Sequence, residues 1–174
     1  PVCTLQLVWI KRDARIVDHA PLVEAARRGP TLCLFVYDPA LVDADETAPG
    51  HLRFVNEGLR AFEVALAQRG GRLATRVGAV VDVLDALHRE HGIDHLWSHE
   101  ETGVAVTYER DRAVSAWCRA NGVPWTECRQ NGVVRGLRDR DGWARQWSRF
   151  MSEQPLDPPA AIEGVTGVAS DGFP

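Results

Sequence analysis

Three short stretches gather the residue types that chemistry needs. The first is Trp9-Ile10-Lys11-Arg12-Asp13-Ala14-Arg15, followed by Asp18-His19. Its cations and carboxylates read first as an ion-pair network or as a docking surface for another domain. No glycine-rich turn is present to aim backbone amides at a pyrophosphate, so a dinucleotide fingerprint and a P-loop are both absent. The second stretch is Ser98-His99-Glu100-Glu101-Thr102-Gly103. Adjacent side chains diverge on a strand, so one acid should face a cleft and the other solvent. A cleft acid accepts hydrogen bonds from a ligand's N–H edge, and the same acid can instead brace a helix start. A metal at His99 would need a third ligand, and the sequence identifies none. The third stretch is Gln130-Asn131-Gly132-Val133-Val134-Arg135, continued by Arg138, Arg140, Arg145 and Arg149 and diluted by Asp139 and Asp141. Trp143 and Trp147 interleave with it, at a spacing that suits core or domain-interface packing at least as well as nucleic-acid contact.

Other constellations fall away. His88, His91, His95 and His99 suggest a ligand cluster, but His88 and His91 suit the last turn of a helix and His95 starts a strand, so zinc is not expected. No Ser-His-Asp or Cys-His arrangement is legible, and no catalytic residue is assigned. The four cysteines, Cys3, Cys33, Cys118 and Cys128, form no C-x-x-C pair and read as small core hydrophobes of a reducing compartment. The net charge of -4 gives no broad attraction to nucleic acid or anionic membrane. No apolar run reaches the ~18 residues of a membrane span and no signal peptide is visible, so a cytoplasmic monomer without membrane contact is expected.

These stretches must be positioned by regular elements. Thr4–Ile10 and Thr31–Tyr37 are continuous apolar runs, as expected for strands covered on both faces. Leu73–Val77, Ile93–Ser98 and Val123–Cys128 add three further strands. Helices are expected over 20–28, 51–68, 79–91, 108–120 and 141–151, each ended by glycine or a polar break. The 51–68 helix should turn Phe54, Leu59, Phe62 and Leu66 inward, and Asp38–Gly50 should be a loop. Strands alternating with helices imply an α/β fold, a Rossmann-like five-stranded parallel sheet with helices on both faces. In such sheets ligands lie beyond the carboxyl ends of the strands, where strand order reverses. The segments 11–18, 38–50 and 98–107 should therefore share one rim. Residues 1–152 form that domain, and the Pro- and Gly-rich 153–174 reads as an interdomain linker.

The opening Trp9–Arg15 with Asp18-His19-Ala20-Pro21-Leu22 resembles the start of DNA photolyases and cryptochromes, Trp-Phe-Arg-Arg-Asp-Leu-Arg then Asp-Asn-x-Ala-Leu. The departures are Ile10, Lys11, Ala14 and His19. Phe54-Val55-Asn56-Glu57-Gly58-Leu59, Tyr108-Glu109-Arg110-Asp111 and Gly132-Val133-Val134-Arg135 resemble later family segments in the same order. His99–Gly103 with 143–151 resembles one bacterial branch.

The resemblance implies an N-terminal α/β domain that holds an antenna pigment in some members: a reduced folate, a deazaflavin or another flavin. A C-terminal helical FAD-binding domain would receive damaged DNA, and light-excited reduced FAD would split a pyrimidine dimer. FAD would therefore belong to the full-length protein and not to this domain, and this part alone is expected to be inactive. By position, Lys11, Arg12, Asp38, Phe54, Glu100 and Glu101 are the implied antenna lining. The alternatives are a cryptochrome light sensor, or a nucleotide-binding module of the universal-stress or electron-transfer-flavoprotein type. A purely structural domain gains force if the crevice is filled by side chains.

Overall fold

The computed structural model describes residues 5–42, 49–103, 105–136 and 141–174. Its chain order is β1 (Leu5–Ile10), α1 (Ala20–Arg28), β2 (Thr31–Tyr37), α2 (Pro39–Val42), α3 (Pro49–Ala67), β3 (Leu73–Val77), α4 (Val80–His91), β4 (Ile93–His99), α5 (Ala105–Asn121), β5 (Trp125–Cys128) and α6 (Trp143–Met151). The sheet runs β3-β2-β1-β4-β5, parallel throughout. Central β1 explains its own apolar sequence. Leu5, Leu7 and Trp9 pack with α4 and α5 on one face, while Val8 and Ile10 pack with α1 and α3 on the other. Gln6 is buried among them because both ends of its amide are used: Trp97 Nε1 donates to Oε1 at 2.9 Å, and Nε2 donates to Asp94 Oδ2 at 2.9 Å. The strand order reverses between β1 and β4, so the ligand crevice expected for this architecture opens where Lys11 and His99 leave the sheet.

Several boundaries differ from the sequence reading for local reasons. The expected 38–50 loop contains α2, because Asp38 Oδ1 accepts from Ala40 N at 3.0 Å and Pro39 supplies a first-turn proline. Residues 43–48 lie outside the described residues. Phe54 does not turn inward. It is 76% exposed, whereas Leu59, Phe62 and Leu66 are buried and Val55 packs against them. Positions 55, 59, 62 and 66 share one helical stripe; Phe54 is a hundred degrees off it. The next-to-last helix starts at Ala105, three residues before the expected Tyr108. Helix α6 buries none of its residues and leaves Trp143, Trp147 and Met151 exposed, so they take no part in the domain core.

The proline-rich stretch is laid along the domain. Asp18 N donates to Leu156 O at 2.8 Å, and Ile162, buried, donates its N–H to Arg69 O at 2.7 Å. Ser170–Gly172 then cover the outer edge of β3. Thr75 N donates to Ser170 Oγ at 2.9 Å, and Val77 N to Asp171 Oδ2 at 2.9 Å. The strand edge is thereby shielded from pairing with other chains. Buried Cys33 and Cys118 and half-buried Cys128 are free thiols. Burial pushes the Cys33 thiol up and raises Cys118 and Cys128 to about 11, which makes them inert hydrophobes. Cys3 lies outside the described residues.

Candidate functional site

Lys11 leaves β1 into the crevice and does not reach solvent. Its Nζ meets Asp111 Oδ2 at 2.7 Å and donates to His99 O at 3.2 Å, with the side chain 5% exposed. Burial lowers its pKa, and Asp111 only partly restores it. Arg110 Nη2 lies 2.9 Å from Glu101 Oε2 and 3.0 Å from Asp111 Oδ1. The Lys11 ammonium and the Arg110 guanidinium both lie over the Trp9 ring, 4.4 Å and 4.7 Å from its centroid. Glu101 also ties down the start of α5, since Oε1 accepts from Thr102 N at 2.9 Å and Gly103 N at 2.7 Å. A side chain at Gly103 would strike that carboxylate, its Cβ lying 2.7 Å from Oε1.

Behind this network lies a second, deeper one. Asp13 Oδ1 accepts from Lys11 N at 2.8 Å, and Oδ2 lies 2.5 Å from His99 Nδ1 and 3.0 Å from His19 Nε2. Burial by itself would raise the Asp13 carboxyl; the two histidines outweigh it and hold the group well below the usual carboxylate range. Burial depresses His99, and its bond to Asp13 offsets this only in part. His19 is the N-cap of α1, its Nδ1 accepting from Leu22 N at 3.1 Å. The photolyase pattern has Asn at this place; the imidazole nitrogen supplies the same acceptor.

That cap decides what the cluster can hold. Asp13, His19 and His99 offer donor atoms within 4.8 Å of one another, the third ligand that the sequence did not reveal. With Nδ1 occupied as acceptor, the ring proton of His19 sits on Nε2, and a protonated nitrogen has no lone pair for a metal. Nε2 is buried close to Asp13 but not aligned for a hydrogen bond, so the attraction there is electrostatic. The donor set suits a carboxylate locked between two imidazoles and does not suit a metal ion.

The crevice rim thus brings together Lys11 and Glu101, with Arg12 close by: a Cβ on Gly103 would lie 3.2 Å from Arg12 Nη2. Arg12 is exposed, and Glu100 is half-buried with Oε1 3.7 Å from Arg135 Nη2. Asp38 caps α2 and Phe54 projects from α3; neither joins the ion-pair network among the described residues. The lining implied by the resemblance left out Asp13, His19, His99, Arg110 and Asp111, although Asp13 and His99 lie in segments that the architecture put on the rim. One signal was available. Thr107, Asp111, Val114 and Cys118 share a helical stripe and are all buried, so an acid lay on an apolar face and required a cation. In the basic stretch, Arg135 forms a forked pair with Glu127, its Nη1 and Nη2 at 3.1 Å and 2.8 Å. Arg138 and Arg140 lie outside the described residues.

The sequence matches the family model for DNA photolyase over residues 6–139. A Salmonella typhimurium deoxyribodipyrimidine photo-lyase is 31% identical over 97 residues, 52% of this chain and 20% of that protein. A Synechococcus sp. (strain PCC 6716) protein named "Uncharacterized 31.6 kDa protein in atpI 5'region" is 28% identical over 164 residues, 94% of this chain and 49% of its own length. The chain therefore spans about half or less of these relatives. The fold matches a bacterial class III photolyase from Agrobacterium tumefaciens with a TM-score of 0.78 at 18% identity, over 98% of this chain and 37% of that one. The universal-stress alternative gains nothing from these matches. With the parallel sheet, its strand-end rim and the matched segment in agreement, the chain belongs to the DNA photolyase family and is its N-terminal α/β domain.

Proposed function

We propose that this domain is the scaffold half of a light-driven, FAD-dependent flavoprotein that splits pyrimidine dimers in DNA. In this reading a helical C-terminal domain holds FAD and receives the damaged DNA. The strand-end rim described above is the surface offered to that domain, and the whole protein works as a cytoplasmic monomer. The observation that carries the reading is the filled crevice. Lys11–Asp111 and Arg110–Glu101 occupy the place where an antenna pigment would enter, with the Lys11 and Glu101 side chains 5% and 6% exposed. Admitting a folate, a deazaflavin or a flavin there would separate buried charges, which is strongly unfavourable. Arg12 and Phe54 remain available at the surface for docking, with Glu100 half-buried beside Arg135. No helix among the described residues is long and apolar enough to cross a membrane.

The test uses the product of the whole gene. Purified protein should carry bound FAD and restore ultraviolet-damaged oligonucleotides under blue light but not in darkness. FAD without repair would turn the reading toward a cryptochrome sensor, and protein without flavin would end it. Titrating this domain with folate, deazaflavin and FMN should leave their absorbance spectra unchanged. A spectral shift abolished by Lys11→Met would replace the scaffold role with an antenna role.

A further inference from the structure

A second concavity adjoins the filled crevice at Asp111 and opens between α5 and edge strand β5. It has a volume of about 790 Å³, within the range of small-molecule sites, and Tyr108, Arg112, Ser115, Arg119, Trp125 and Arg135 are among its lining residues. We propose that this groove binds a planar aromatic ring carrying a phosphate, the chemistry of a nucleoside monophosphate. The inference does not depend on the scaffold reading.

The helix side of the groove follows from spacing. Tyr108, Arg112, Ser115 and Arg119 recur at three- and four-residue steps and so form one stripe along α5, beside the stripe that buries Val114 and Cys118. Charge along this stripe is unbalanced. The acids of the groove wall are already engaged, Asp111 by Lys11 and Arg110 and Glu127 by the forked Arg135. Arg112 and Arg119 have no acid partner among the described residues; Arg119 Nη1 reaches only Ser115 Oγ, at 3.2 Å. Two available guanidiniums along one groove, on a chain of net charge -4, form a local site for an anion.

The strand side supplies the ring surface and the hydrogen bonds. Trp125 is half-buried and held in place, its Nε1 donating to Ser98 Oγ at 3.0 Å and its ring 6.1 Å from Trp9. It offers a fixed aromatic face on which a base can stack, with Tyr108 at the margin. Among the described residues strand β5 pairs with β4 alone, and Leu96 N donates to the carbonyl of Pro124 at 2.9 Å. The alternation of a strand then directs the backbone groups of Trp125 and Glu127 outward, where they can read the polar edge of a ring. Aromatic face, cationic stripe and free strand edge converge on a ligand that is flat at one end and anionic at the other.

The experiment is a titration of the 174-residue chain with AMP, adenosine and inorganic phosphate, followed by amide and indole NMR shifts. AMP should move the Trp125 indole N–H and the amides of α5 residues 108–119. Adenosine and inorganic phosphate should each bind at least about tenfold more weakly than AMP. Arg112→Glu should weaken AMP by about tenfold or more with the thermal midpoint unchanged, and Arg119→Glu should weaken AMP to a similar degree with a midpoint lowered by a few degrees, because it puts an anion in the last turn of α5. No shift with AMP at millimolar concentration would overturn the proposal, as would shifts located outside the groove or unaffected by both substitutions. Binding of a single-stranded oligonucleotide in the groove far more tightly than AMP, with a steep salt dependence, would also overturn it in favour of a nucleic-acid strand.

Discussion

The crevice at the carboxyl ends of β1 and β4 and the groove between α5 and β5 are neighbours that share Asp111, yet they are built oppositely. In the crevice Lys11, Asp13, Glu101, Arg110 and Asp111 are nearly all removed from water, and each has a partner of opposite charge or a proton donor. In the groove Arg112 and Arg119 stand at the surface without an acid partner among the described residues. Paired buried charges fix geometry and resist displacement, because separating them leaves an uncompensated charge in a poorly polarisable interior. Unpaired surface cations contribute little to the fold and remain free to meet a ligand. The conspicuous charged motif after the first strand is therefore a structural lock, and capacity for new contacts lies beside it.

The sharpest way to break this contrast is Asp13→Ala. It leaves His99 Nδ1, His19 Nε2 and the Lys11 amide facing a void at once. We expect a loss of about 3–5 kcal/mol in urea unfolding of the 174-residue chain, the cost of removing one partner from a buried charged cluster. A loss below about 1 kcal/mol, as for an ordinary surface change, would mean that the crevice is not locked. Lys11→Met should cost less, about 1.5–3 kcal/mol, since Asp111 keeps its contact with Arg110. Adding Asp111→Leu should recover at least half of that loss, because the remaining partner no longer carries a buried charge. Additive losses in this double-mutant cycle would show that the pair is not coupled.

Acid should unlock the same cluster. His99 is depressed in the folded state, so below about pH 6.5 the unfolded chain takes up a proton that the folded chain does not, and stability falls as pH falls. Asp13 is also depressed. Its contribution is present above about pH 4 and is lost as pH drops further, through its folded value. Both effects have the same sign. Unfolding free energies measured from pH 7 to pH 3 should decline in two stages, and Asp13→Asn should flatten the lower one. A profile that rises toward acid would contradict the cluster's charge state.

The sequence and the structure agree best where one physical signal dominates. Continuous apolar runs disclosed the strands, and the alternation of strands with helices disclosed the parallel sheet, because each signal is local and repeated. The rim was legible through the placement of the Lys11 and Glu101 segments after β1 and β4. The bonding within it was less so. The Asp13–His99 contact joins residues 86 apart in sequence, and no local period reports such a pairing. Phe54 misled because a large aromatic was weighted above its angular position, one residue off the stripe of Val55, Leu59 and Phe62. The role of His19 was hidden by a substitution that keeps the acceptor but changes the residue type. The wrap of the final stretch was illegible for a different reason. Its bonds run from backbone, Ser170 and Asp171 to β3, and proline-rich composition reports stiffness without saying where the chain lies.

The smallest expected effect tests the other side of the contrast. Neutralising Lys11 removes a buried partner; neutralising Arg112 should remove nothing that the fold uses. Arg112→Gln removes the charge but keeps an unbranched polar side chain of similar helix propensity, so its cost should stay within about 0.5 kcal/mol. Arg119→Gln should cost slightly more than Arg112→Gln, because Arg119 lies in the last turn of α5. A cation there interacts favourably with the helix carbonyls, by about 0.3–1 kcal/mol at an exposed site. For a domain of this size that is a midpoint shift of roughly 1–3 °C in thermal unfolding, and added salt should shrink it. The ordering matters more than the size. If Arg112→Gln destabilised the chain by as much as Lys11→Met, Arg112 would be engaged in the fold, and the groove would be a second locked network instead of an open one.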